Sequence, residues 1–351
     1  MSTARRLLLV ALVLLLAGGA AHASPFTPSD PYYASYEWYA PLMNLPSAWD
    51  LSLGSANVIV AVLDTGVLAD TPDLAGRLLP PLSATGSPPL DGTANHHGTW
   101  VASTVGMTIN NGLGGAGVGN FTILPITVTD VFGHNTSSWI ATGIRMAADA
   151  GARVINVSHS TLSYDLLNDA AAYARTKGAL VFVAAGNSDA YNGMLGFDNL
   201  IFVSGTDRND QRWHEVLDAT TTPPKTIGST WGPYVDLSAP SDDILIADPT
   251  LAPSGYGIIH GTSFASPLAA GAAALAWSIA PDLTPEQVLN LLYDTAVDLG
   301  DPGRDDVYGY GRIDFGAVAA GAYALTPEPA TLALLAGGLA ALAGGRRRRR
   351  G

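Results

Sequence analysis

The chain has 351 residues, 48% of them hydrophobic, so it can form one large globular domain or two small ones and is not a disordered protein. It has no cysteine, which excludes disulfides and leaves core packing or bound ions to stabilise the fold. Seven of its 17 Lys and Arg residues lie in two terminal segments, residues 1–23 and 327–351, whereas all but one of its 30 acidic residues lie between these segments. The part between them is therefore strongly acidic, which argues against a basic nucleic-acid-binding surface.

The N-terminus has the form of a secretory signal peptide, assigned to residues 1–23. Arg5 and Arg6 precede an apolar run over residues 7–17, and small residues follow up to Ala23, where cleavage is expected. A first transmembrane helix is the alternative, but the run is shorter than the roughly 20 residues that cross a bilayer. We therefore expect the chain to be exported.

Between the two ends, short β-branched apolar runs alternate with alanine-rich stretches, which is typical of a mostly parallel sheet flanked by helices. We therefore predict an α/β fold in one domain at residues 24–326. The runs lack polar alternation, as expected of strands covered on both faces. Strands are predicted at residues 58–63, 122–128, 154–158, 180–184 and 200–204, and helices at residues 97–105, 138–150, 164–177, 262–280 and 285–295. Segments rich in Pro, Gly, Ser or Thr at residues 79–95 and 207–225 are predicted to be surface insertions.

Asp64 follows the first predicted strand directly, within Asp-Thr-Gly. Its carboxylate is expected at the carboxyl end of that strand, where open α/β sheets place their sites. A carboxylate in that position can hold a histidine in one tautomer and stabilise the imidazolium that forms during catalysis. For this motif alone, a capping or turn aspartate is the alternative.

His97 begins a predicted helix within His-Gly-Thr. The helix N-terminus is expected to lower its proton affinity, which suits a neutral proton acceptor. His96 is the competing candidate, because adjacent residues at a helix start point in different directions and only one can face Asp64. We choose His97 because Gly98 and Thr99 follow it in the motif. Taken alone, either histidine could be a surface or metal-binding residue.

Ser263 lies at the start of a long alanine-rich helix, within Gly-Thr-Ser-Phe-Ala-Ser-Pro. A helix-capping serine is the alternative. Here the preceding glycine allows a close backbone approach, and the helix amides and dipole would favour a developing oxyanion. Asn187 follows the strand at residues 180–184 and can offer its side-chain amide to the same oxyanion.

Taken in order, the motifs around Asp64, His97 and Ser263 resemble those of subtilisin-family serine peptidases, and the resemblance covers about residues 30–320. The serine motif is very specific, the histidine motif nearly so, and Asp-Thr-Gly is weak alone. The N-terminal arm is most similar to the thermitase-like branch. The resemblance implies a three-layer α/β fold around a mostly parallel central sheet, and a serine endopeptidase that hydrolyses peptide bonds through an acyl-enzyme.

The resemblance also implies roles for individual residues. The implied triad and oxyanion donor are Asp64, His97, Ser263 and Asn187. The implied substrate-binding residues are Ser158, His159 and Ser160, on a strand that pairs with an extended peptide, and Gly133, His134 and Asn135 on the peptide's other side. Structural calcium is implied at Asp30, Asp73 and Asn111, for which solvated loop groups are the alternative. No organic cofactor is expected.

Five positions depart from the family pattern. Trp100 stands where a small residue or histidine is usual, and Ser103 stands where glycine is usual. Ser160 and Thr161 replace glycines of the substrate strand, so their side chains are expected to narrow the specificity pocket or tilt the peptide. His260 replaces an asparagine, without a consequence that the sequence reveals.

Two other functions compete with this interpretation. The first is a catalytically weak or inactive surface-attached binding protein on the same scaffold, which the intact set of Asp64, His97, Asn187 and Ser263 argues against. The second is an α/β-hydrolase esterase, which needs Gly-x-Ser-x-Gly and a serine that precedes its acid and histidine. Ser263 is followed two residues later by Ala265 and comes last, so the esterase is excluded.

The C-terminus at residues 327–351 contains Pro-Glu-Pro, an apolar stretch at residues 330–345 and five arginines. It resembles the PEP-CTERM sorting signal of Gram-negative bacteria, which implies cleavage by an exosortase-type sorting enzyme and transient contact with the membrane. A permanent anchor is the alternative, although 16 apolar residues are slightly short for it. We expect a monomer in the periplasm, at the cell surface or secreted after C-terminal processing. Its expected partners are polypeptide substrates, signal peptidase and the sorting enzyme.

Overall fold

A seven-stranded parallel sheet forms the centre of this computed structural model, which describes residues 26–90, 95–160 and 163–326. The strands, in chain order, are β1 (Ile59–Asp64), β2 (Leu82–Ser83), β3 (Thr122–Thr127), β4 (Val154–Val157), β5 (Leu180–Ala184), β6 (Leu200–Thr206), β7 (His214–Asp218), β8 (Lys225–Gly228), β9 (Val235–Pro240), β10 (Ile244–Ala247) and β11 (Tyr256–Ile259). The central sheet has the order β2-β3-β1-β4-β5-β6-β9 with every pair parallel, and β7-β8 and β10-β11 are antiparallel hairpins.

Helices cover both faces of the central sheet. In chain order they are α1 (Tyr33–Tyr36), α2 (Tyr39–Leu42), α3 (Leu45–Trp49), α4 (His97–Gly106), α5 (Ser137–Asp149), α6 (Tyr164–Thr176), α7 (Thr262–Ile279), α8 (Pro285–Thr295) and α9 (Phe315–Leu325). The apolar side chains of α4 and α7 pack into one core cluster, and those of α5 and α6 pack into another. The fold therefore has three layers.

The side chains of β1 point alternately to the two faces of the sheet, so this one strand packs against both helix layers. Val60 and Val62 belong to the cluster with α4 and α7, whereas Ala61 and Leu63 belong to the cluster with α5 and α6. Successive side chains of a strand point to opposite faces, so an uninterrupted apolar run is what a doubly covered strand requires. The α/β prediction from this pattern is confirmed.

The five predicted strands and five predicted helices are present, and no end differs by more than two residues. The sequence pattern did not predict the two-residue β2, the edge strand β9, either hairpin or α9. The predicted surface insertion at residues 207–225 contains β7, most of whose residues are exposed, and the first residue of β8. Part of the other predicted insertion, residues 91–94, lies outside the described residues.

The predicted signal peptide and the predicted C-terminal apolar segment also lie outside the described residues, as does Thr161. Within the described ranges, the structure contains no helix that is both long and apolar enough to cross a membrane.

Candidate active site

The carboxyl end of β1 is joined to the start of α4. Asp64 is the last residue of β1 and is only 1% exposed. The Thr65 hydroxyl accepts a hydrogen bond from the Gly98 backbone N–H, with N and Oγ1 2.9 Å apart. These contacts place the first residue of α4, His97, beside Asp64.

His97 and Asp64 form a short, two-pronged contact. The His97 Nδ1 atom lies 2.8 Å from Oδ1 and 3.0 Å from Oδ2 of Asp64. The Thr65 backbone N–H also donates to Oδ1, at 2.8 Å, and fixes the carboxylate. An ionised carboxylate only accepts hydrogen bonds, so Nδ1 carries the proton and Nε2 of neutral His97 is left as an acceptor.

Electrostatics favours charge on both partners. Burial acts to raise the pKa of Asp64, but His97 and His159 outweigh it, and the pKa of this carboxyl lies far below its usual range. Burial likewise acts to lower the pKa of His97, but the charge and hydrogen bond of Asp64 outweigh it and raise the pKa above 6.5. The expectation that the helix N-terminus lowers the proton affinity of His97 was therefore wrong, because the carboxylate is closer and fully charged.

His96 has a different carboxylate partner. Its Nδ1 atom lies 2.8 Å from Oδ2 of Asp248, which also accepts a hydrogen bond from the Trp100 indole N–H at 2.7 Å. The unusual Trp100 thus helps to hold His96 against Asp248. The Ser103 hydroxyl, the other departure on α4, donates to the Trp100 carbonyl at 2.7 Å. The sequence reasoning missed Asp248, the carboxylate that holds His96 away from Asp64.

Ser263 is the second residue of α7 and is 9% exposed. Its Oγ donates to the Ser158 carbonyl oxygen at 3.3 Å, while Ser158 Oγ donates to the Ser263 carbonyl oxygen at 2.7 Å. The ring of the next residue, Phe264, lies 6.0 Å from the ring of His97. The start of α7 therefore lies between the segment after β4 and His97.

A buried amide network supports this serine, and sequence reasoning missed it. Asn156 of β4 donates from Nδ2 to Ser158 Oγ at 2.9 Å and accepts at Oδ1 from Ser266 Oγ at 2.7 Å. All three side chains are buried. An asparagine inside an otherwise apolar strand run was the available signal, since a buried amide needs polar partners.

Asn187 is anchored to the start of α7. Its Oδ1 accepts from the Thr262 backbone N–H at 2.9 Å and from the Thr262 hydroxyl at 2.8 Å. Gly261, which precedes the helix, has φ 138°, a conformation that side-chain-bearing residues rarely adopt. These bonds use the oxygen of the Asn187 amide and leave its NH₂ group available to a ligand.

The two segments implied in substrate binding meet at one cavity of about 640 Å³. It is lined by Gly133, His134, Asn135, Thr136, Ser137, Ser138, Ser160 and Leu166. Ser158 lies beneath Ser263 rather than in this cavity. The His134 side chain is exposed and contacts Asp130, with Nδ1 and Oδ2 3.2 Å apart.

His159 makes a contact that the motifs did not indicate. Its Nε2 lies 3.2 Å from Oδ1 of Asp64, and its ring centroid is 5.3 Å from that of His97. This nitrogen is buried, and the contact adds to those of His97 that lower the pKa of the Asp64 carboxyl. The pairing of Leu63 with Val157 in neighbouring parallel strands was the available signal, because it brings the residues after both strands together.

His260 borders the hairpin β7-β8. Its ring lies 5.4 Å from the Trp213 ring, and Nε2 is 3.5 Å from Oε2 of Glu215. The hairpin that sequence analysis treated as a surface insertion therefore reaches the segment just before Ser263.

The residues implied in calcium binding are also neighbours. Asp30 accepts backbone N–H donors of Asn110, Asn111 and Gly112 at 2.7, 3.0 and 3.0 Å. Asp73 Oδ1 accepts from Asn111 Nδ2 at 2.8 Å. Burial, with a smaller effect of the Asp30 charge, raises the pKa of Asp73 to about 6. The Asn111 amide presents its nitrogen to Asp73, and its oxygen accepts from the Leu113 backbone N–H at 2.8 Å. The two carboxylates are therefore the groups that suit calcium as the structure stands, and Asn111 would have to turn its amide to add a third oxygen.

Similarity to known proteins covers both the described domain and the C-terminus. Residues 55–311 match the subtilase family, and residues 325–349 match the PEP-CTERM protein-sorting motif. Thermitase from Thermoactinomyces vulgaris is 37% identical over 254 residues, which cover 71% of this chain and 85% of thermitase. A thermophilic serine proteinase from Bacillus sp. (strain AK1) is 35% identical over 260 residues, covering 71% of this chain and 59% of that protein.

Solved structures extend the similarity to the fold. A protease structure from Pseudoalteromonas arctica superposes on this chain with a TM-score of 0.68 and 28% sequence identity. The match covers 85% of this chain and 100% of the protease chain. A lanthipeptide protease superposes with a TM-score of 0.69 and 23% identity over 85% of this chain and 99% of that one, a likeness of fold alone.

Proposed function

The chain belongs to the subtilase family and is a serine endopeptidase, and from this premise we propose that Asp64, His97 and Ser263 are its catalytic triad. The resemblance drawn from the motifs is thereby confirmed at the level of the family. The observation that carries the residue assignment is the 2.8 Å contact between buried Asp64 and His97, beside the start of the helix that holds Ser263.

In the proposed mechanism, Ser263 Oγ turns from the Ser158 carbonyl towards Nε2 of His97. Catalytic hydrogen bonds often tighten only when substrate binds. His97 then takes the hydroxyl proton as Oγ attacks the peptide carbonyl, and later returns it to the leaving amine. Asp64 keeps Nδ1 protonated and stabilises the transient imidazolium.

We assign the oxyanion donors to the Asn187 NH₂ group and the backbone N–H of Ser263. The anchoring of the Asn187 oxygen by Thr262 supports this assignment, because it fixes the amide in the orientation that presents NH₂. The N-terminal amides of a helix lack intrahelical partners and favour negative charge. Both donors would stabilise the tetrahedral intermediate more than the substrate.

The substrates are polypeptides, and we propose that residues 133–135 and 158–160 hold the extended chain between them. The cavity that Gly133, His134, Asn135 and Ser160 share supports this arrangement. Main-chain hydrogen bonds along such a strand give affinity that depends little on sequence. Ser160 adds a side chain to the wall of the cavity and is expected to restrict what fits there.

Active-site labelling tests the proposed function. A phosphonate probe that forms a covalent adduct with activated serines should label the wild-type chain, and Ser263→Ala should abolish labelling while leaving the thermal midpoint unchanged. Ser278→Ala, at a half-buried serine on the same helix, is the matched control and should label normally. Absence of labelling in folded wild-type protein would favour the inactive binding module instead.

We further propose calcium at Asp30, Asp73 and Asn111, supported by the two carboxylates that both contact Asn111. Calcium would supply charge compensation to the loop at residues 108–115 and no chemistry to the peptidase reaction. It would tie the N-terminal arm, which contains Asp30, to the loop after α4.

The PEP-CTERM motif implies an exosortase-type sorting partner. We propose that residues 1–23 are removed as a signal peptide, that residues 24–326 form the peptidase domain, and that residues 327–351 direct a monomeric enzyme to the surface of a Gram-negative bacterium. The test is fractionation of cells that express the chain with and without residues 327–351. Loss of surface association with retained peptidase activity is expected. An identical distribution of both forms would contradict the sorting role.

A further inference from the structure

A triad needs one histidine on its carboxylate, whereas Asp64 has two. His97 Nδ1 and His159 Nε2 lie 2.8 and 3.2 Å from the same oxygen, Oδ1. One ligand atom from each of the three residues lies within 4.8 Å of the other two. The proposed triad uses only His97, so the second imidazole at this oxygen, with its buried Nε2, takes no part in the catalytic steps.

We propose that Asp64, His97 and His159 form a binding site for a borderline divalent metal ion such as Zn²⁺, and that its occupancy reversibly inhibits the peptidase. This inference rests on the proposed function, because it assigns regulation to the same site. Two imidazole nitrogens and a carboxylate oxygen form a donor set that suits Zn²⁺, Cu²⁺ or Ni²⁺ and does not suit Ca²⁺ or Mg²⁺. The site is therefore chemically distinct from the calcium site.

The spacing of the donor atoms agrees with such an ion. Ligand atoms of tetrahedral zinc lie about 3.3 Å apart, given metal–ligand distances of roughly 2.0–2.2 Å. Shifts of a few tenths of an ångström in Asp64 and His97 would widen the two distances to Oδ1 to that value. The ligand atoms of the two histidines lie within 4.8 Å of each other and would have to adopt the same spacing. The Thr65 backbone N–H on Oδ1 already orients the carboxylate, as outer-shell donors do in metal sites. The fourth position is left to water.

Occupancy would inactivate His97 through its tautomer. A metal ion on Nδ1 displaces the proton that this nitrogen gives to Asp64. The neutral ring keeps that proton on Nε2, which then donates and no longer accepts. Ser263 consequently loses its proton acceptor. The Asp64 carboxylate, bound to the metal ion, also no longer stabilises the His97 imidazolium. No bond of the protein is made or broken, so removal of the ion restores the base.

Binding is tested separately from activity, on the full chain carrying Ser263→Ala and with calcium in excess. Calorimetric titration with Zn²⁺ should show one site, and adding His159→Leu should weaken it at least about 10-fold. His159→Gln provides a second variant should the leucine chain fail to fold. His214→Leu is the matched control, because His214 also contacts a carboxylate, Asp189 at 2.9 Å, away from the cluster. It should leave the affinity unchanged.

Inhibition is then measured on chains that retain Ser263, each relative to its own metal-free rate, so that any change in basal activity cancels. Zn²⁺ should suppress wild-type hydrolysis, a chelator selective for zinc over calcium should restore it, and the His159 variants should need at least about 10-fold more Zn²⁺. Equal sensitivity of wild type and His159 variants, or no binding to Ser263→Ala, overturns the metal site. Zinc binding by a chain that is inactive without metal would instead overturn the proposed catalytic function and leave the site standing.

Discussion

At the scale of single residues, the site depends on how a buried carboxylate is kept charged. Asp64 is almost inaccessible to water, and an unpaired charge in such a place would be strongly unfavourable. Two imidazoles and a backbone N–H contact it instead. The same contacts raise the proton affinity of His97, so the acid that orients the base also sets the pH at which the base becomes neutral.

The pH dependence of hydrolysis follows from this pair. In metal-free buffer, we expect kcat/KM to rise with pH through a midpoint above about 6.5 and then to stay constant, because only neutral His97 accepts the Ser263 proton. Initial rates on a peptide amide across the neutral range provide the measurement. Asp64→Asn should lower the midpoint and reduce kcat about 10⁴-fold. An unchanged midpoint in that variant would show that Asp64 does not set the titration.

Asn187 offers a second prediction at this scale. Asn187→Asp keeps the oxygen that Thr262 holds but replaces the NH₂ donor, so kcat should fall by about 10²–10³ or more with a similar KM. Asn187→Ala should lose a similar amount of kcat and, because it also frees the Thr262 donors, should melt at a lower temperature. Steady-state kinetics and thermal denaturation separate the two effects. If Asn187→Ala lost its activity while Asn187→Asp kept it, the side-chain oxygen rather than the NH₂ group would be the part of Asn187 that catalysis requires.

At the scale of elements, the start of α4 must lie very close to the end of β1. A methyl group on Gly98 would overlap the Gly66 carbonyl oxygen and lie 3.0 Å from Cβ of Asp64. The hydrogen bond from the Gly98 backbone N–H to Thr65 holds the helix in that position. The glycine of the His-Gly-Thr motif is thus explained by packing between helix and strand.

Gly98→Ala is therefore expected to displace α4 and to reduce kcat/KM by more than about 100-fold, since small displacements of catalytic groups are costly. The matched control is Gly106→Ala at the other end of the same helix. There the closest atoms to an added methyl group belong to the Ile123 side chain, at 3.0–3.1 Å, and to Leu74, at 3.7 Å, and both are side chains that can shift. Kinetics and circular dichroism of both variants provide the measurement. Equal effects of the two substitutions would contradict the importance of the Gly98 contact.

The limits of prediction from sequence also follow from the elements. Residues 58–63 and 180–184 were predictable as strands because both faces of each strand need apolar side chains. β2, with two residues, is too short to leave a pattern. The His159 contact was not predictable from a motif, because it depends on the register between β1 and β4. The raised pKa of His97 required the balance of burial against Asp64, which only the folded geometry provides.

At the scale of the whole molecule, stability has to be supplied without disulfides. The chain has no cysteine and carries a formal net charge of −13. The two apolar clusters extend over both faces of the sheet, and the N-terminal arm closes one of them with Trp49 and Tyr39. Asp30, on the same arm, reaches the loop after α4. A cation bound there would connect two distant parts of the chain.

Removal of calcium should therefore lower the thermal midpoint. A ligand present at about 100 times its Kd stabilises by about 2.7 kcal/mol, which corresponds to roughly 4 °C for a domain of about 300 residues. Differential scanning calorimetry with and without a chelator provides the measurement. The shift should vanish in Asp73→Asn and persist in Asp165→Asn, an exposed acid on α6. An unchanged midpoint on chelation of the wild-type chain would exclude a stabilising calcium ion.

The hydrogen bonds between Ser158 and Ser263 join segments 105 residues apart, whereas His97 and Asp64 are separated by only 33. A ribosome completes the acid and the base long before it synthesises the nucleophile. Because α7 must insert against β4 and β5 before Ser263 has a fixed place, cleavage activity arises late in folding. We therefore expect a chain in which α7 has not yet packed to have the acid and the base, but no positioned nucleophile and no peptidase activity. The order of the motifs along the chain thus delays the completion of the catalytic site until the last of them has folded.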